Sequence, residues 1–317
     1  MRVFYKNLPK KRIECIAAIG VFDGIHLGHS YILNRVRILS KKHGFDSLII
    51  TFDVMPQHFL NLAHIDNKWL SRKTFSGYIT DREQKIELIK AKGIKKLWFL
   101  RTNKKLLELS GRDFIRYICS YFDIKSLVVG DDFRFGYAGS CGIKELKKLS
   151  SVFDFKVFVA KKKRQKNEVI SSTSIRKLIQ LGRLDEVSHY LGRDFSVRGK
   201  VCKGKKFGRK IGFPTANFYI HDFVSPPPGV YAARALIAKK LYLAAVFIGH
   251  KHSSFESRNL IEAHILGFKK NILGKSIKIF FISKLRNKRK FSSLRKLRSA
   301  IEKDIQSLTS KYSISPA

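Results

Sequence analysis

Short apolar runs and amphipathic stretches alternate along the first half of the chain, from Ile13 to about Ala160. The runs CIAAIGVF, SLIITF, KLWFL, SLVVG and KVFVA are rich in β-branched and aromatic residues, the composition of strands covered on both faces. Between them the spacing becomes helical. After His29 the positions Ile32, Leu33, Val36 and Leu39 fall on one face, and Thr80 with Glu83 forms a capping-box pattern ahead of Ile86 and Ile89. Strands alternating with helices predict a parallel α/β sheet, and such sheets bind ligands beyond the carboxyl ends of their strands.

The pattern changes after Ser171. The stretches SSTSIRKLIQLG and LDEVSHYLG read as two helices, closed by Gly182 and Gly192. From Ser196 to about Leu285 the segments SVRGKV, GVYAARALI, LYLAAVFIG, LIEAHILGF and SIKIFFISKL are strand-like and separated by Gly and Pro, which predicts a small β-barrel. A final helix carries Leu294, Leu297, Ile301, Ile305 and Leu308 on one stripe, expected to pack onto that barrel. The boundary falls between Asp185 and Gly192, dividing domain 1–186 from domain 187–317, with no internal repeat or low-complexity linker.

Composition refines this picture. A chain of 317 residues can bury two cores. Cys15, Cys119, Cys141 and Cys202 form no C-x-x-C pair, which argues against a zinc site or disulfide framework and for a reducing compartment. No apolar run reaches the roughly 18 residues of a spanning helix, and MRVFYKNLPKKR lacks an apolar signal core. The expectation is a soluble, cytoplasmic protein with no membrane partner, either a monomer or a weak homo-oligomer. The formal charge of +40 attracts nucleic acid, acidic membranes or phosphorylated small molecules alike. Lysines are spread along the whole chain, and Lys161, Lys162, Lys163 and Arg164 read as a solvated loop. Without a helix-turn-helix, RNA-recognition signature or zinc finger, no specific nucleic-acid partner is expected; a basic nucleic-acid binder on an enzyme scaffold would instead show salt-steep affinity.

Two stretches carry candidate chemistry. At the first strand-to-helix junction stands Gly20-Val21-Phe22-Asp23-Gly24-Ile25-His26-Leu27-Gly28-His29. Small residues let the backbone approach a phosphate, the helix start offers N–H groups and a positive dipole, and two imidazoles can stabilise charge growing on a triphosphate. Farther on, Ser171-Ser172-Thr173-Ser174-Ile175-Arg176 supplies another helix start whose hydroxyls can cap or donate, with Arg176 able to fork onto phosphate oxygens. In the second half, Gly199 to Asn217 sets Gly204, Gly208 and Gly212 among lysines and Arg209, then runs through Pro214 into Thr215 and Asn217. Glycines and cations suit a polyphosphate loop, and two hard oxygen ligands on alternate strand positions suit Mg²⁺.

GVFDGIHLGH and ISSTSIR, with Val129 to Gly136 between them, resemble the FMN adenylyltransferase module of the bacterial bifunctional riboflavin kinase/FAD synthetases; G-x-V-x-x-G…G-R-x-x-G-F-P-T-A-N resembles their riboflavin kinase motif. The resemblance implies a Rossmann-like nucleotidyltransferase domain followed by a six-stranded riboflavin-kinase β-barrel with a terminal helix. It implies ATP phosphorylation of riboflavin to FMN, adenylylation of FMN to FAD, and ATP, riboflavin and FMN as small-molecule partners, with Mg²⁺ serving both steps. It further implies His26 and His29 on ATP phosphates, Ser172, Thr173 and Arg176 closing over the nucleotide, and Asp132 by the adenosine or flavin. On the kinase side it implies Glu262 as the base for the ribityl hydroxyl, and Arg286 ahead of the final helix as a ligand contact. Three places depart from the family pattern. Met55 stands where a Pro-His-Pro imidazole is expected, with His58 three residues on; Gly267 replaces an Asp; and Gly249 to Phe255 replaces a Gly-x-x-Pro-Thr segment. Met55 cannot donate a hydrogen bond, so the resemblance leaves a kinase-only chain as the alternative to the two-step enzyme.

Overall fold

A computed structural model describes residues 1–63, 75–161, 164–165, 168–204, 207–253 and 256–312, with the backbone alone at 164–165, 168, 250–253 and 256–258. Lys162, Lys163, Lys205, Lys206, Ser254 and Phe255 of the stretches above lie outside the described residues. The chain forms two compact units: Met1–Phe75 with Asp81–Ser171, and Ser76–Thr80 with Ser172–Ala317.

The first unit contains β1 (Arg2–Phe4), β2 (Ile13–Ile19), α1 (Leu27–His43), β3 (Asp46–Phe52), α2 (Pro56–Leu62), α3 (Arg82–Ala91), β4 (Lys96–Leu100), α4 (Lys104–Leu107), α5 (Gly111–Tyr121), β5 (Phe122–Gly130), α6 (Ile143–Val152), β6 (Lys156–Ala160), and the short pair β7 (Arg164–Gln165) and β8 (Glu168–Val169). Its sheet has the order β1-β4-β3-β2-β5-β6 and every pairing in it is parallel. After β2 the chain adds β3 and β4 on one side, then β5 and β6 on the other. The order therefore reverses between β2 and β5, the place where open α/β sheets leave a ligand crevice. Apolar layers cover both faces: Trp98, Phe122 and Leu127 on one, Ile16, Leu33 and Phe99 on the other. The continuous apolar runs follow from that double burial.

Local signals explain the helices. Leu33, Val36 and Leu39 are buried on α1, which ends at Gly44 in the left-handed conformation (φ 74°). The start of α3 lies one residue later than the sequence pattern predicts. Asp81, not Thr80, is the N-cap, accepting from the Gln84 N–H at 2.6 Å while the Gln84 side chain accepts from the Asp81 N–H at 3.1 Å. A carboxylate is at least as good a cap as a hydroxyl, and Thr80 is itself buried.

The second unit contains α7 (Ser172–Gln180), α8 (Leu184–Leu191), β9 (Phe195–Lys200), α9 (Phe207–Lys210), β10 (Ala216–Ile220), β11 (Gly229–Ile237), β12 (Lys240–Ser253), β13 (Glu256–Ile265), β14 (Ser276–Asn287) and α10 (Leu294–Tyr312). The six strands form an antiparallel sheet in the order β10-β13-β12-β11-β14-β9. Its two edges meet where the Cys202 N–H donates to the Asn217 carbonyl at 2.7 Å, closing the curl toward a barrel. Gly199 makes this closure possible, because a Cβ there would stand 2.0 Å from the Phe218 ring. Inside, Phe281 stacks on Phe195 and meets Tyr231 edge-on.

Residues 76–80 also pair into this unit. The Tyr78 N–H donates to Asp222 at 2.5 Å and the Val224 N–H donates to Tyr78 at 2.9 Å. Gly77, at φ 103°, allows the approach, since a Cβ would fall 2.3 Å from the Val224 nitrogen.

The terminal helix packs less of its stripe than its sequence predicts. Leu308 is fully buried against Ala232, Leu243 and Ala245, whereas Leu297, Ile301 and Ile305 are half-buried and Leu294 is 58% exposed. Only the later turns of α10 reach the strands. Among the described residues, no helix is long and apolar enough to cross a membrane.

Candidate active sites

The first site is the junction after β2. Its backbone is forced into unusual shapes: Phe22 (φ 47°), Gly24 (φ 84°) and Ile25 (φ 39°) are all left-handed. For Phe22 and Ile25 that geometry costs on the order of 1–2 kcal/mol each. Both side chains are fully buried among Leu33, Val36 and Phe99, and that burial offsets the strain. Gly20 leaves room for the Phe22 ring folded back upon it, 3.2 Å from where a Cβ would stand.

His26 is the N-cap of α1, its Nδ1 accepting from the His29 N–H at 3.2 Å. That bond sets the neutral tautomer with its proton on Nε2. The two imidazoles stack with centroids 3.6 Å apart and planes 17° from parallel, and Phe22 meets His29 edge-on. Gly28 is what lets the His26 ring lie over the first helical turn, because a Cβ would sit 3.1 Å from Nδ1 and Cε1. The spacing of the motif is thus steric: cap, glycine gap, second ring. No acidic residue occupies the first turn of α1, so its N–H groups and dipole present an anion-attracting end.

Beneath the junction lies a residue the sequence reading passed over. Lys85 of α3 is only 4% exposed, and its Nζ donates to the Val21 carbonyl at 2.8 Å; Thr51 Oγ1 donates to the same oxygen at 2.9 Å. Burial pulls the ammonium down to about 8, against the opposing pull of the Asp23 carboxylate, while Arg82 adds to the lowering. Asp23 is itself buried. The signal was present: Lys85 lies one turn before Ile89 on the buried side of α3. A lysine on a core stripe is costly unless something needs its charge.

The remaining rim comes from the neighbouring strands. After β3, Asp53 Oδ1 accepts from Val54 N–H at 2.7 Å and Thr102 N–H at 2.8 Å, while Thr102 Oγ1 donates to Val54 at 2.6 Å, latching the loops after β3 and β4 together. Met55 is the buried N-cap of α2 and its side chain makes no cap hydrogen bond. His58 is stacked on Phe75 with centroids 4.1 Å apart. After β5, at the other side of the crevice, Asp132 is exposed and Phe133 stacks on Phe135.

The second unit holds the other predicted residues. Ser172 and Thr173 open α7, and Arg176 Nε donates to the Gly77 carbonyl at 2.8 Å. In the barrel, β10 and β13 pair so that Asn217 stands directly opposite Glu262. Cross-strand partners share a face, so the amide and carboxylate are neighbours. Both are half-buried, and burial raises the Glu262 carboxyl above the ordinary carboxylate range. The Oδ1 atom of Asn217 is buried without a hydrogen-bond partner. Gly204 passes so close that a Cβ would stand 1.9 Å from Asn217 Nδ2, and Gly208 folds onto Phe213, whose N–H donates to it at 2.7 Å. Gly212 is left-handed (φ 91°) and Arg209 is exposed. His264, also on β13, holds the Pro214 carbonyl through Nδ1 at 2.9 Å and meets Phe213 edge-on, tying the glycine loop to the strand that bears Glu262.

Arg286 occupies a different setting. Its guanidinium forks onto Asp304 of α10, with Nε at 2.9 and 3.0 Å and Nη2 at 2.8 Å from the carboxylate, and lies over Phe291. Gly267 is left-handed (φ 69°) and faces open space, so an aspartate at that turn would carry backbone strain. The chain between Gly249 and Ser253 continues β12 as a hairpin with β13, pairing Gly249 with Leu260 and Ser253 with Glu256.

Comparison with known proteins finds a family match in each half of the chain. A family model described as FAD synthetase matches residues 8–174, and one described as riboflavin kinase matches residues 191–311. The chain is 34% identical over 311 residues to the bifunctional riboflavin kinase/FMN adenylyltransferase of Buchnera aphidicola subsp. Schizaphis graminum, covering 96% of each. It is 30% identical over 305 residues to the protein of the same description from Bacillus subtilis, covering 94% of this chain and 93% of that one. The crystal structure of a macrolide-efflux protein from Streptococcus pneumoniae matches with a TM-score of 0.84 at 24% identity, over 96% of this chain and 98% of that one; at that identity the likeness shows the fold alone.

Proposed function

The chain belongs to the family of bifunctional riboflavin kinase/FMN adenylyltransferases, and from that premise we propose which of its residues carry the two reactions. It phosphorylates riboflavin to FMN with ATP and adenylylates FMN to FAD with release of pyrophosphate.

Residues 1–186 carry the adenylyl transfer, in which the FMN phosphate attacks the α-phosphorus of ATP and pyrophosphate departs. No protein nucleophile is needed; the work is positioning and neutralising charge. His26 and His29 donate to the phosphates, and Gly20, Phe22, Asp23, Gly24 and Gly28 shape the cradle. The supporting observation is the stacked, capped imidazole pair at the start of α1, at the point where the strand order reverses. On the strength of the motif alone, Asp132 and, separately, Ser172, Thr173 and Arg176 are assigned as nucleotide ligands. Met55 leaves the charge stabilisation to the remaining groups, so the loss of the family imidazole slows this half without removing its chemistry.

Residues 187–317 carry the kinase. Glu262 accepts the proton of the ribityl terminal hydroxyl as its oxygen attacks the γ-phosphorus, and Gly204, Gly208, Arg209, Gly212 and Pro214 line the phosphate loop. Thr215 and Asn217 would hold Mg²⁺, and the orphaned, buried Oδ1 of Asn217 fits a hard cation that keeps other ligands from water and phosphate. When bound, the ion supplies charge neutralisation on the transferred phosphoryl group. Arg286, engaged by Asp304, contributes through that pair to the shape of the barrel end. The four cysteines are free, which supports a cytoplasmic setting.

One time course resolving FMN and FAD tests the assignment in riboflavin and Mg-ATP. The His29→Ala variant is expected to accumulate FMN without FAD, and Glu262→Ala to make FAD only from supplied FMN. Loss of both activities in either variant would overturn the division of labour.

A further inference from the structure

Lys85 is absent from the motifs that define the adenylyl-transfer site, yet its charge is placed under that site at evident cost. A lysine removed from water loses the hydration of its ammonium and is retained only where protein groups replace it. Here the replacements are the Val21 carbonyl at 2.8 Å and the negative charge of Asp23, both from the β2–α1 junction. The donor spans 64 residues of sequence to reach that carbonyl.

The geometry has a consequence for the next amide. Across a trans peptide the carbonyl and the following N–H point in opposite directions. With the Val21 oxygen held by both Lys85 and Thr51, the Phe22 N–H is fixed on the side away from them. A cation on the carbonyl also polarises the peptide and strengthens the N–H as a donor. The residues that follow are those with left-handed backbone, Phe22, Gly24 and Ile25, so the junction has little intrinsic preference for this shape and needs an external anchor.

We propose that Lys85 is a positioning residue for adenylyl transfer: with Thr51 it locks the Val21–Phe22 peptide, and so the imidazole-bearing junction, in the arrangement that receives charge developing on the nucleotide phosphates. This rests on the reading of His26 and His29 as the phosphate-binding pair.

The test is steady-state FAD formation from supplied FMN and Mg-ATP by the full chain, with riboflavin phosphorylation as control. Lys85→Met, which keeps the length and removes the charge, is expected to lower kcat on the order of 10- to 100-fold, with KM changed far less and kinase turnover intact. Thr51→Val is expected to act in the same direction more weakly. Wild-type FAD formation should decline as pH rises through about 8, and the residual rate of Lys85→Met should lack that decline. The charged groups facing Lys85 are Asp23 from the junction and Arg82 from its own helix. Deprotonation of Lys85 does not itself unfold the protein, and a melting curve at each pH separates the decline from the alkaline loss of stability expected from the thiols of buried Cys15 and half-buried Cys119. Because the folded value lies below the ordinary 10.5, deprotonation adds stability between about 8 and 10.5.

A Lys85→Met rate within twofold of wild type, or a residual rate with the same alkaline decline, overturns the proposal. Should Lys85→Met fail to fold, Thr51→Val and the wild-type profile decide: an unchanged kcat with no decline overturns it. The His29→Ala variant separates the two readings. If it still makes FAD, the site itself is misassigned; if it is inactive while Lys85→Met and Thr51→Val run at the wild-type rate, only the role of Lys85 fails.

Discussion

Gly28 and Glu262 show what a single residue's surroundings impose on it. In an ordinary helix Gly→Ala gains up to about 1 kcal/mol. At Gly28 the added methyl would press on the His26 ring, so Gly28→Ala should slow FAD formation while leaving thermal stability unchanged or raised, as paired activity and melting measurements would reveal. Glu262 works in the other direction. Its carboxyl is held above the usual range by burial, so it stays protonated, and unable to accept a proton, to a higher pH than an exposed glutamate. FMN formation should therefore climb through an acid limb displaced upward, and Glu262→Gln should lower it about 10²- to 10⁴-fold. The sign for stability is opposite: ionising this group costs folding energy above its raised value, so Glu262→Gln should melt no lower than wild type at neutral pH. His26, His29, Thr215, Asn217 and Glu262 could be proposed from the sequence because each belongs to a short contiguous motif. Lys85 was not, because its partner Val21 is joined to it only by the fold.

Among the elements, α10 shows where periodicity misleads. The apolar stripe predicted burial along its length, but Leu294 is exposed and the inward face is completed by a charge, Asp304, which a search for apolar spacing skips. Asp304 is buried and paired with the half-hidden Arg286 of β14. Removing one member of such a pair leaves the other desolvated alone, at a cost of about 3 kcal/mol. Asp304→Ala should lower the melting temperature of the kinase unit and its FMN formation, with FAD formation from supplied FMN retained at temperatures below that melt. The strands were read more accurately than the helix ends. Alternation and β-branching survive tertiary packing, whereas the choice of Asp81 over Thr80 as a cap depends on which side chain is free to turn toward the backbone.

At the level of the whole molecule, a formal charge of +40 creates a field that attracts anions of any kind. Both reactions draw on the same anionic nucleotide, so the KM for ATP in each should rise with added salt, as a titration at fixed Mg²⁺ would measure. The two architectures were visible in the sequence because their periodicities differ. The short segment 76–80 was not: it lies within the sequence of the first half but belongs to the second unit, where it hydrogen-bonds with Asp222 and Val224. That borrowed ribbon bears on gene dissection. A recombinant fragment beginning near residue 172 would lack the tenant of its own outer ledge, leaving the amide of Val224 and the carbonyl of Asp222 bare. Such a half would be inclined to precipitate or to recruit a neighbour's strand, and supplying the missing pentapeptide in trans, or grafting it through a linker, should restore a soluble product.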